Sequence, residues 1–297
     1  MPRLRFISWL ALGTAAIVCF LGYAGARAAW SEYRSANPRP HRVQRPEGDE
    51  LIQRAADVTF STARGLKIRG WWMQSRNGAA IILSHGSDAD RRAMLGDAHL
   101  LSSLGYGVLV YDQPGNGESD GPAIWPRDAP EALSAAVDWV ALQTGVSKGR
   151  LGVLGFSLGT DAVARVAARD QRLRAVVLEG SFTDADAQVP YEYRKWGPIQ
   201  AIPTRWVMRA CGMPPGSLRP IDQVGAIAPR PLLIIHGQLD PVVSVAMAHE
   251  LFAAAQPSKE LWILPTAHHG DYAEVAPAEY AQRIATFFAG ALLTQPL

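Results

Sequence analysis

RLGVLGFSLGT, residues 150–160, is the stretch of sequence that decides the fold. Its first part is an apolar run typical of a buried strand, and a helical pattern follows it. Between the two, Gly155 and Gly159 flank Ser157, where glycines let the backbone turn sharply and leave the serine hydroxyl exposed. The G-x-S-x-G pattern alone arises by chance in roughly one chain in ten of this length. Its strand and helix setting indicates a nucleophilic serine at the edge of a sheet.

The rest of the body alternates short β-branched or apolar runs with helical patterns, which predicts a mostly parallel sheet covered by helices on both faces. We expect eight strands, near residues 56–61, 66–74, 79–84, 107–111, 150–155, 175–179, 231–236 and 260–264. Helices are expected near residues 89–104, 129–144, 158–169, 243–255 and 277–292. Residues 183–228 break this rhythm with prolines, glycines and aromatics, so we interpret them as a small inserted lid, called the lid segment below.

A serine hydroxyl is a poor nucleophile at neutral pH, so it needs a base and a carboxylate that orients the base. Asp240 follows the apolar run PLLIIHG, and His268 and His269 follow the last predicted strand. The carboxyl ends of parallel strands meet at one edge of a sheet, so we expect these side chains beside Ser157. The chain order Ser, Asp, His is also the order expected of a sheet with this serine turn.

The sequence leaves alternatives open at this point. Asp240 precedes a proline and also fits an ordinary turn, which leaves Glu179 and Asp222 as other possible acids. Cys211 fits a small buried hydrophobe better than a nucleophile. No cluster of cysteines and histidines predicts a metal site.

Taken together, these motifs resemble the α/β-hydrolase superfamily, and within it the serine aminopeptidase-like branch of small lipases, esterases and peptidases. The resemblance spans residues 58–289 and is carried by SHGS at 84–87, YDQPGNGES at 111–119, the serine turn, the run at 231–240 and His269. It implies an eight-stranded α/β-hydrolase fold with a lid. It also implies cleavage of an ester, thioester or amide through an acyl-enzyme intermediate, without a metal or organic cofactor.

The resemblance also implies roles for particular residues. Ser157 would be the nucleophile, Asp240 the orienting acid and His269 the base, although a small residue usually stands where this chain has His268. The backbone N–H groups of Ser87 and Leu158 would form the oxyanion hole. His85 would support the loop that carries the first of these N–H groups, and Asp112 would stabilise the turn before Gly115.

Two other functions fit the same pattern. Acyl transfer uses the same three residues and differs only in the acceptor that enters after acylation. A catalytically silent binding protein with this fold is the other alternative, because fold alone never proves function.

The N-terminal region has a different character. Residues 6–26 are uncharged and mostly apolar, and at about 1.5 Å per residue they are long enough for a ~30 Å hydrocarbon core. We therefore expect a tail at 1–5, a single-pass transmembrane anchor at 6–26, a Pro/Arg-rich linker at 27–54 and the hydrolase domain at 55–297. A cleaved signal peptide is the alternative. The likeness of the N-terminal segment to an export signal favours a domain outside the cytoplasm. The arginines that follow the segment argue against export, because positive charge tends to stay on the cytoplasmic side.

Composition bounds the partners. With 297 residues, 48% hydrophobic and 19% charged, the chain can bury one large core. The net charge of +2 and the scattered basic residues indicate no nucleic-acid partner. We expect a small-molecule or lipid-like acyl substrate, and the predicted anchor and aromatic lid favour lipophilic esters over peptides.

Overall fold

A computed structural model describes residues 2–121 and 124–294, with side chains from residue 14 onward. In this part of the chain eight strands form one sheet: β1 (Ala56–Ser61), β2 (Lys67–Met73), β3 (Ala80–Ser84), β4 (Gly107–Tyr111), β5 (Leu151–Phe156), β6 (Leu173–Glu179), β7 (Leu232–Gly237) and β8 (Lys259–Leu264). Their order across the sheet is β1-β2-β4-β3-β5-β6-β7-β8. β2 runs antiparallel to β1 and β4, and the other pairs are parallel. The predicted sheet is confirmed.

The helices are α1 (Pro2–Ala36), α2 (Glu50–Arg54), α3 (Leu95–Ser103), α4 (Trp125–Ala141), α5 (Gly159–Arg169), α6 (Ala185–Glu192), α7 (Pro198–Ala210), α8 (Ile221–Val224), α9 (Val245–Ala254), α10 (Tyr272–Val275) and α11 (Pro277–Leu292). Short 3₁₀ turns occupy Arg91–Met94 and Gly225–Ile227. Apolar residues of α4, α5 and α9 pack on one face of the sheet, and those of α3 and α11 pack on the other. Helices therefore cover both faces, as predicted.

Burial on both faces explains why the central strands read as continuous apolar runs. Successive side chains of a strand point to opposite faces. In β5, Val153 joins the core beneath α4 and α5, whereas its neighbour Leu154 joins the core beneath α3 and α11. Because β3, β5, β6, β7 and β8 run parallel to one another, their carboxyl ends lie along the same edge of the sheet.

The N-terminal region differs from its prediction. Helix α1 continues ten residues past the predicted boundary at 26, and α2 forms within the predicted linker. Ala24 and Ala28 are buried, and a Cβ added to Gly25 would lie 2.7 Å from the carbonyl oxygen of Ile199 in α7. Small residues thus let α1 pack closely against the lid segment. The structure does not describe Met1, residues 295–297 or the side chains of residues 2–13. The side chains of the predicted tail and of the start of the predicted anchor therefore lie outside the described residues.

Across residues 2–121 and 124–294, none of the helices is both long and apolar enough to span a membrane. This finding contradicts the predicted single-pass anchor and the membrane-bound domain outside the cytoplasm, and both predictions are wrong. The physical reason lies in α1 itself, because its small residues pack against protein where the prediction placed lipid.

A buried polar link joins three elements below the edge of the sheet. The Tyr280 hydroxyl of α11 lies 2.7 Å from Glu179 Oε1 at the end of β6 and 2.5 Å from Asp97 Oδ1 of α3. Burial, together with the neighbouring charge of Asp97, holds the pKa of Glu179 well above its usual value. The Tyr280 hydroxyl is therefore the donor within reach of both buried carboxyl groups, and it links α3, β6 and α11.

We expect Tyr280→Phe to lower the free energy of unfolding by about 1–3 kcal/mol, because the substitution leaves the buried Glu179 without its partner. Tyr106→Phe is the matched control, since the Tyr106 hydroxyl is buried but has no hydrogen-bond partner in the described part of the chain. Urea denaturation of both variants checks the prediction. Equal losses in the two variants would contradict it.

Candidate active site

Ser157 lies at the sharp turn from β5 into α5. Its φ of +50° is a left-handed conformation that residues with side chains rarely adopt. A Cβ added to Gly155 would lie 2.7 Å from Val163, and one added to Gly159 would lie 2.5 Å from the carbonyl oxygens of Ser84 and His85. Only glycine fits at these two positions, so the turn presents the Ser157 hydroxyl at the carboxyl edge of the sheet.

His269 connects the serine to the acid. Its Nε2 lies 2.9 Å from Ser157 Oγ, and its Nδ1 lies 2.6 Å from Asp240 Oδ2. Asp240 is oriented in turn, because its other oxygen accepts hydrogen bonds of 2.8 Å from the backbone N–H groups of Val242 and Val243. The structure therefore brings together the three side chains that the sequence selected from three separate strand ends.

The environment of Asp240 favours the charged carboxylate. Its burial alone raises the pKa, but the hydrogen bond and positive charge of His269 lower it. The backbone N–H groups beyond β7 add to this effect, and together they hold the pKa below its ordinary value. A charged Asp240 accepts a hydrogen bond from His269 Nδ1–H, and this tautomer leaves Nε2 free to accept the serine proton.

The alternative residues lie elsewhere. His268 is exposed, and its Nδ1 lies 3.2 Å from Asp271. Glu179 is engaged by Tyr280, as described above, and Asp222 forms an exposed ion pair of 2.7 Å with Arg219. None of these three side chains is hydrogen-bonded to the side chain of Ser157 or of His269.

The predicted oxyanion residues, Ser87 and Leu158, both line the cavity that contains Ser157. Within residues 2–121 and 124–294, neither backbone N–H has a hydrogen-bond acceptor. His85 is fully buried beneath Ser87, accepts a 2.9 Å hydrogen bond from the Gln113 N–H at Nε2, and donates from Nδ1 to the Gly86 carbonyl at 2.7 Å. It braces the loop, in agreement with the role expected of it.

One buried ion pair beside this loop was missed in the sequence. Arg91 is 1% exposed, and its side chain bonds to Asp112 at 2.9 Å and stacks on Trp71 at 4.8 Å. Asp112 also accepts the backbone N–H of Glu118 at 2.9 Å, which stabilises the turn before Gly115 as predicted. Nothing in the sequence marks this arginine, because its burial depends on contacts between distant segments.

A cavity of about 240 Å³ opens over Ser157. Its apolar wall comes from the body and the lid segment: Trp125, Phe182, Val189, Met208, Met213 and Leu218. Its polar wall includes Glu192 of α6 and, unexpectedly, Glu32 of α1. No sequence pattern marks Glu32, because it stands in the predicted linker. The lid segment also contacts the loop after β7 that carries Asp240, where the Tyr191 hydroxyl donates to the Asp240 backbone carbonyl at 2.8 Å.

Among the described residues, no group of three His, Cys, Asp or Glu side chains is arranged to hold a metal ion. In addition to the polar residues of the cavity wall, Ser157 is accompanied by His269, by the Asp240 carboxylate and by the two unpaired backbone N–H groups of Ser87 and Leu158. This set can activate the serine hydroxyl and stabilise a negative oxygen that forms beside it.

Comparison with solved structures shows the same fold. An esterase of Pyrococcus furiosus, Pf2001, superposes with a TM-score of 0.74 over 86% of this chain and 98% of its own, at 23% identity. The α/β hydrolase GrgF of Penicillium superposes with a TM-score of 0.67 over 80% of this chain and 99% of its own, also at 23% identity. Similarity at this identity shows the α/β-hydrolase fold.

Sequence comparison extends the relationship. An uncharacterized protein of Mycobacterium tuberculosis strain H37Rv is 28% identical over 264 residues, which covers 88% of this chain and 89% of that protein. The family described as X-Pro dipeptidyl-peptidase (S15 family) matches residues 27–203, more than half of the chain and including the serine turn. The chain therefore belongs to the S15 family within the α/β-hydrolase superfamily, and it is a serine hydrolase.

Proposed function

We propose that the chain hydrolyses esters of small acyl groups through an acyl-enzyme intermediate formed on Ser157. The observation that carries the proposal is the position of His269, bonded at once to Ser157 Oγ at 2.9 Å and to Asp240 at 2.6 Å. Distances in this range allow direct proton transfer between serine and imidazole. The P. furiosus protein, which has the same fold, is an esterase, and this adds support.

The proposed reaction has two halves. Ser157 Oγ attacks the ester carbonyl carbon while His269 Nε2 takes the hydroxyl proton, and the N–H groups of Ser87 and Leu158 stabilise the resulting oxyanion. The carbon–oxygen bond to the alcohol then breaks, and His269 donates its proton to the leaving oxygen. In the second half water attacks the acyl carbon while His269 Nε2 takes a proton from it. The bond from the acyl carbon to Ser157 Oγ then breaks, His269 returns the proton to Oγ, and the carboxylic acid leaves.

The cavity supports small substrates. At about 240 Å³ it is below the 300–1,000 Å³ typical of sites for drug-sized ligands. Its apolar wall suits a short acyl chain placed beside Ser157. The preference for lipophilic esters depended partly on the membrane anchor, and without the anchor the cavity is the better guide.

We expect wild-type protein to react with a fluorophosphonate probe and Ser157→Ala to lose this reaction completely, because the probe requires an activated serine. Ser119→Ala removes another buried hydroxyl and serves as the control, since Ser119 Oγ donates to the Asp112 carbonyl away from His269. Gel fluorescence measures the labelling. Equal labelling of wild type and Ser157→Ala would contradict the proposal.

His269→Ala is expected to lower kcat for p-nitrophenyl butyrate by about 10³-fold or more, because the serine loses its base. His268→Ala, the matched control one residue away, should change kcat by less than about threefold, since this side chain faces solvent. Asp240→Asn should resemble His269→Ala, because an amide no longer holds the imidazole tautomer. A larger loss for His268→Ala than for His269→Ala would reverse the assignment.

Acyl transfer is the second candidate. The polyketide transferase GrgF of Penicillium is 33% identical over 135 residues, covering 44% of this chain, and has the same fold. Transfer differs from hydrolysis only in the second half of the reaction, where an alcohol or amine replaces water.

Product analysis separates the two candidates. With p-nitrophenyl butyrate and increasing concentrations of a competing alcohol, we expect butyric acid to remain the main product in wild type. Chromatography of the products makes the measurement, and Ser157→Ala gives the background. Butyrate ester as the main product at millimolar alcohol would favour the transferase.

A further inference from the structure

Helix α1 forms part of the wall of the cavity over Ser157. Its last two turns contribute Ser31, Glu32, Ser35 and Ala36 to the lining. The helix is held there by the lid segment: Phe20 packs edge-on against Trp196 with ring centres 5.3 Å apart, and Asn37 donates to Cys211 Sγ at 3.2 Å. Residues from the N-terminal helix therefore face any substrate bound at the serine.

The charge of this wall is one-sided. Glu32 of α1, Glu192 of α6 and Asp88 of the oxyanion loop all line the cavity. No lysine or arginine lines it anywhere in the described part of the chain. Partial burial raises the pKa of Glu32 to about 7, and the charge of Glu192 adds to the rise. Above pH 7, where Glu32 is charged, a negative group brought into the cavity meets like charges and no cation among the lining residues.

The other charged groups near this pair do not cancel it. Arg27 and Arg34 line an adjoining surface cavity, which Asp88 and Glu192 also line but Glu32 does not. Both arginines are exposed to water, which screens their charge. Burial raises the pKa of Glu192, the charge of His269 lowers it, and the charge of Asp240 raises it, with a net rise. Glu32, Glu192 and Asp88 are the charged side chains that line the cavity in the described part of the chain.

We propose that Glu32 is a specificity-determining residue of this site and that, with Glu192, it makes the cavity accept acyl groups with a neutral end and reject acyl groups that end in a carboxylate. Rejection by like charge is an established way to build specificity, because the wrong substrate gains no compensating contact. The inference rests on the proposed ester hydrolysis at Ser157.

Two esters of equal chain length test it: p-nitrophenyl pentanoate, which is neutral, and mono-p-nitrophenyl glutarate, which carries a carboxylate. We expect wild type to prefer the neutral ester in kcat/KM. Glu32→Gln should lower this preference by roughly 3- to 10-fold, mainly through faster cleavage of the glutarate ester. Glu260→Gln removes an equal charge from the start of β8, at the opposite edge of the sheet, and should leave the preference unchanged.

The pH dependence supplies a second readout. Below pH 7 Glu32 gains a proton and becomes neutral, so wild-type preference for the neutral ester should be smaller at pH 6 than at pH 8. Both esters react at the same Ser157 and His269, so the ratio of their kcat/KM values cancels effects of pH that are common to the two reactions. In Glu32→Gln the ratio should change less between these two pH values.

The outcomes are distinct. Circular dichroism shows whether Glu32→Gln folds, and fluorophosphonate labelling shows whether its serine is still active. If the variant passes both checks and its kcat/KM ratio is unchanged, the inference is overturned while the proposed function stands. If Glu32→Gln fails to fold, Glu192→Gln carries the same expectation and the same power to overturn it. Wild type that neither labels nor cleaves either ester contradicts the proposed function and the inference together.

Discussion

The sharp backbone turn at Ser157 is the constraint on which the rest of the site depends. A φ of +50° at a residue with a side chain is unfavourable by itself, so the surrounding structure must enforce it. The Ser157 N–H donates to the Glu179 carbonyl at 2.8 Å, which fixes the turn to the end of β6. Any side chain at Gly155 or Gly159 would displace the strand from the helix and move the hydroxyl away from His269.

The parallel sheet converts distant positions in the sequence into neighbours. Ser157 and His269 are 112 residues apart in the chain, and Asp240 and His269 are 29 residues apart. Each follows a different strand, and the common direction of β5, β7 and β8 brings all three ends to one edge. The body thus supplies Ser157, Asp240 and His269, whereas α1 and the lid segment supply much of the wall of the cavity.

The sequence was a good guide where a local pattern determines structure, and a poor one where contacts between segments do. The sheet, Ser157 and the order of its partners follow from periodicity and from the glycines of the turn. In the structure His269 contacts Ser157 and Asp240, whereas the neighbouring His268 is exposed and contacts Asp271, a difference that no local sequence pattern shows. The buried pair of Arg91 and Asp112 has no local signal, because an arginine in the sequence looks the same whether exposed or buried.

The N-terminal helix illustrates the same limit. A run of small and apolar residues has the same sequence pattern whether it contacts lipid or another helix. Only the structure shows that Ala24, Gly25 and Ala28 lie on a buried face of α1, next to α7. Its polar continuation looked like a linker, although it forms a wall of the cavity. What lines a site is therefore harder to infer than what reacts in it.

Because the cavity is bounded by α1, α6 and the body together, its occupancy and the docking of α1 are thermodynamically linked. A molecule that fills the cavity and contacts all three elements binds more tightly when α1 is docked, and by reciprocity it holds α1 in place. The free energy that orders the N-terminal helix and the free energy that binds the ligand are then two parts of one equilibrium.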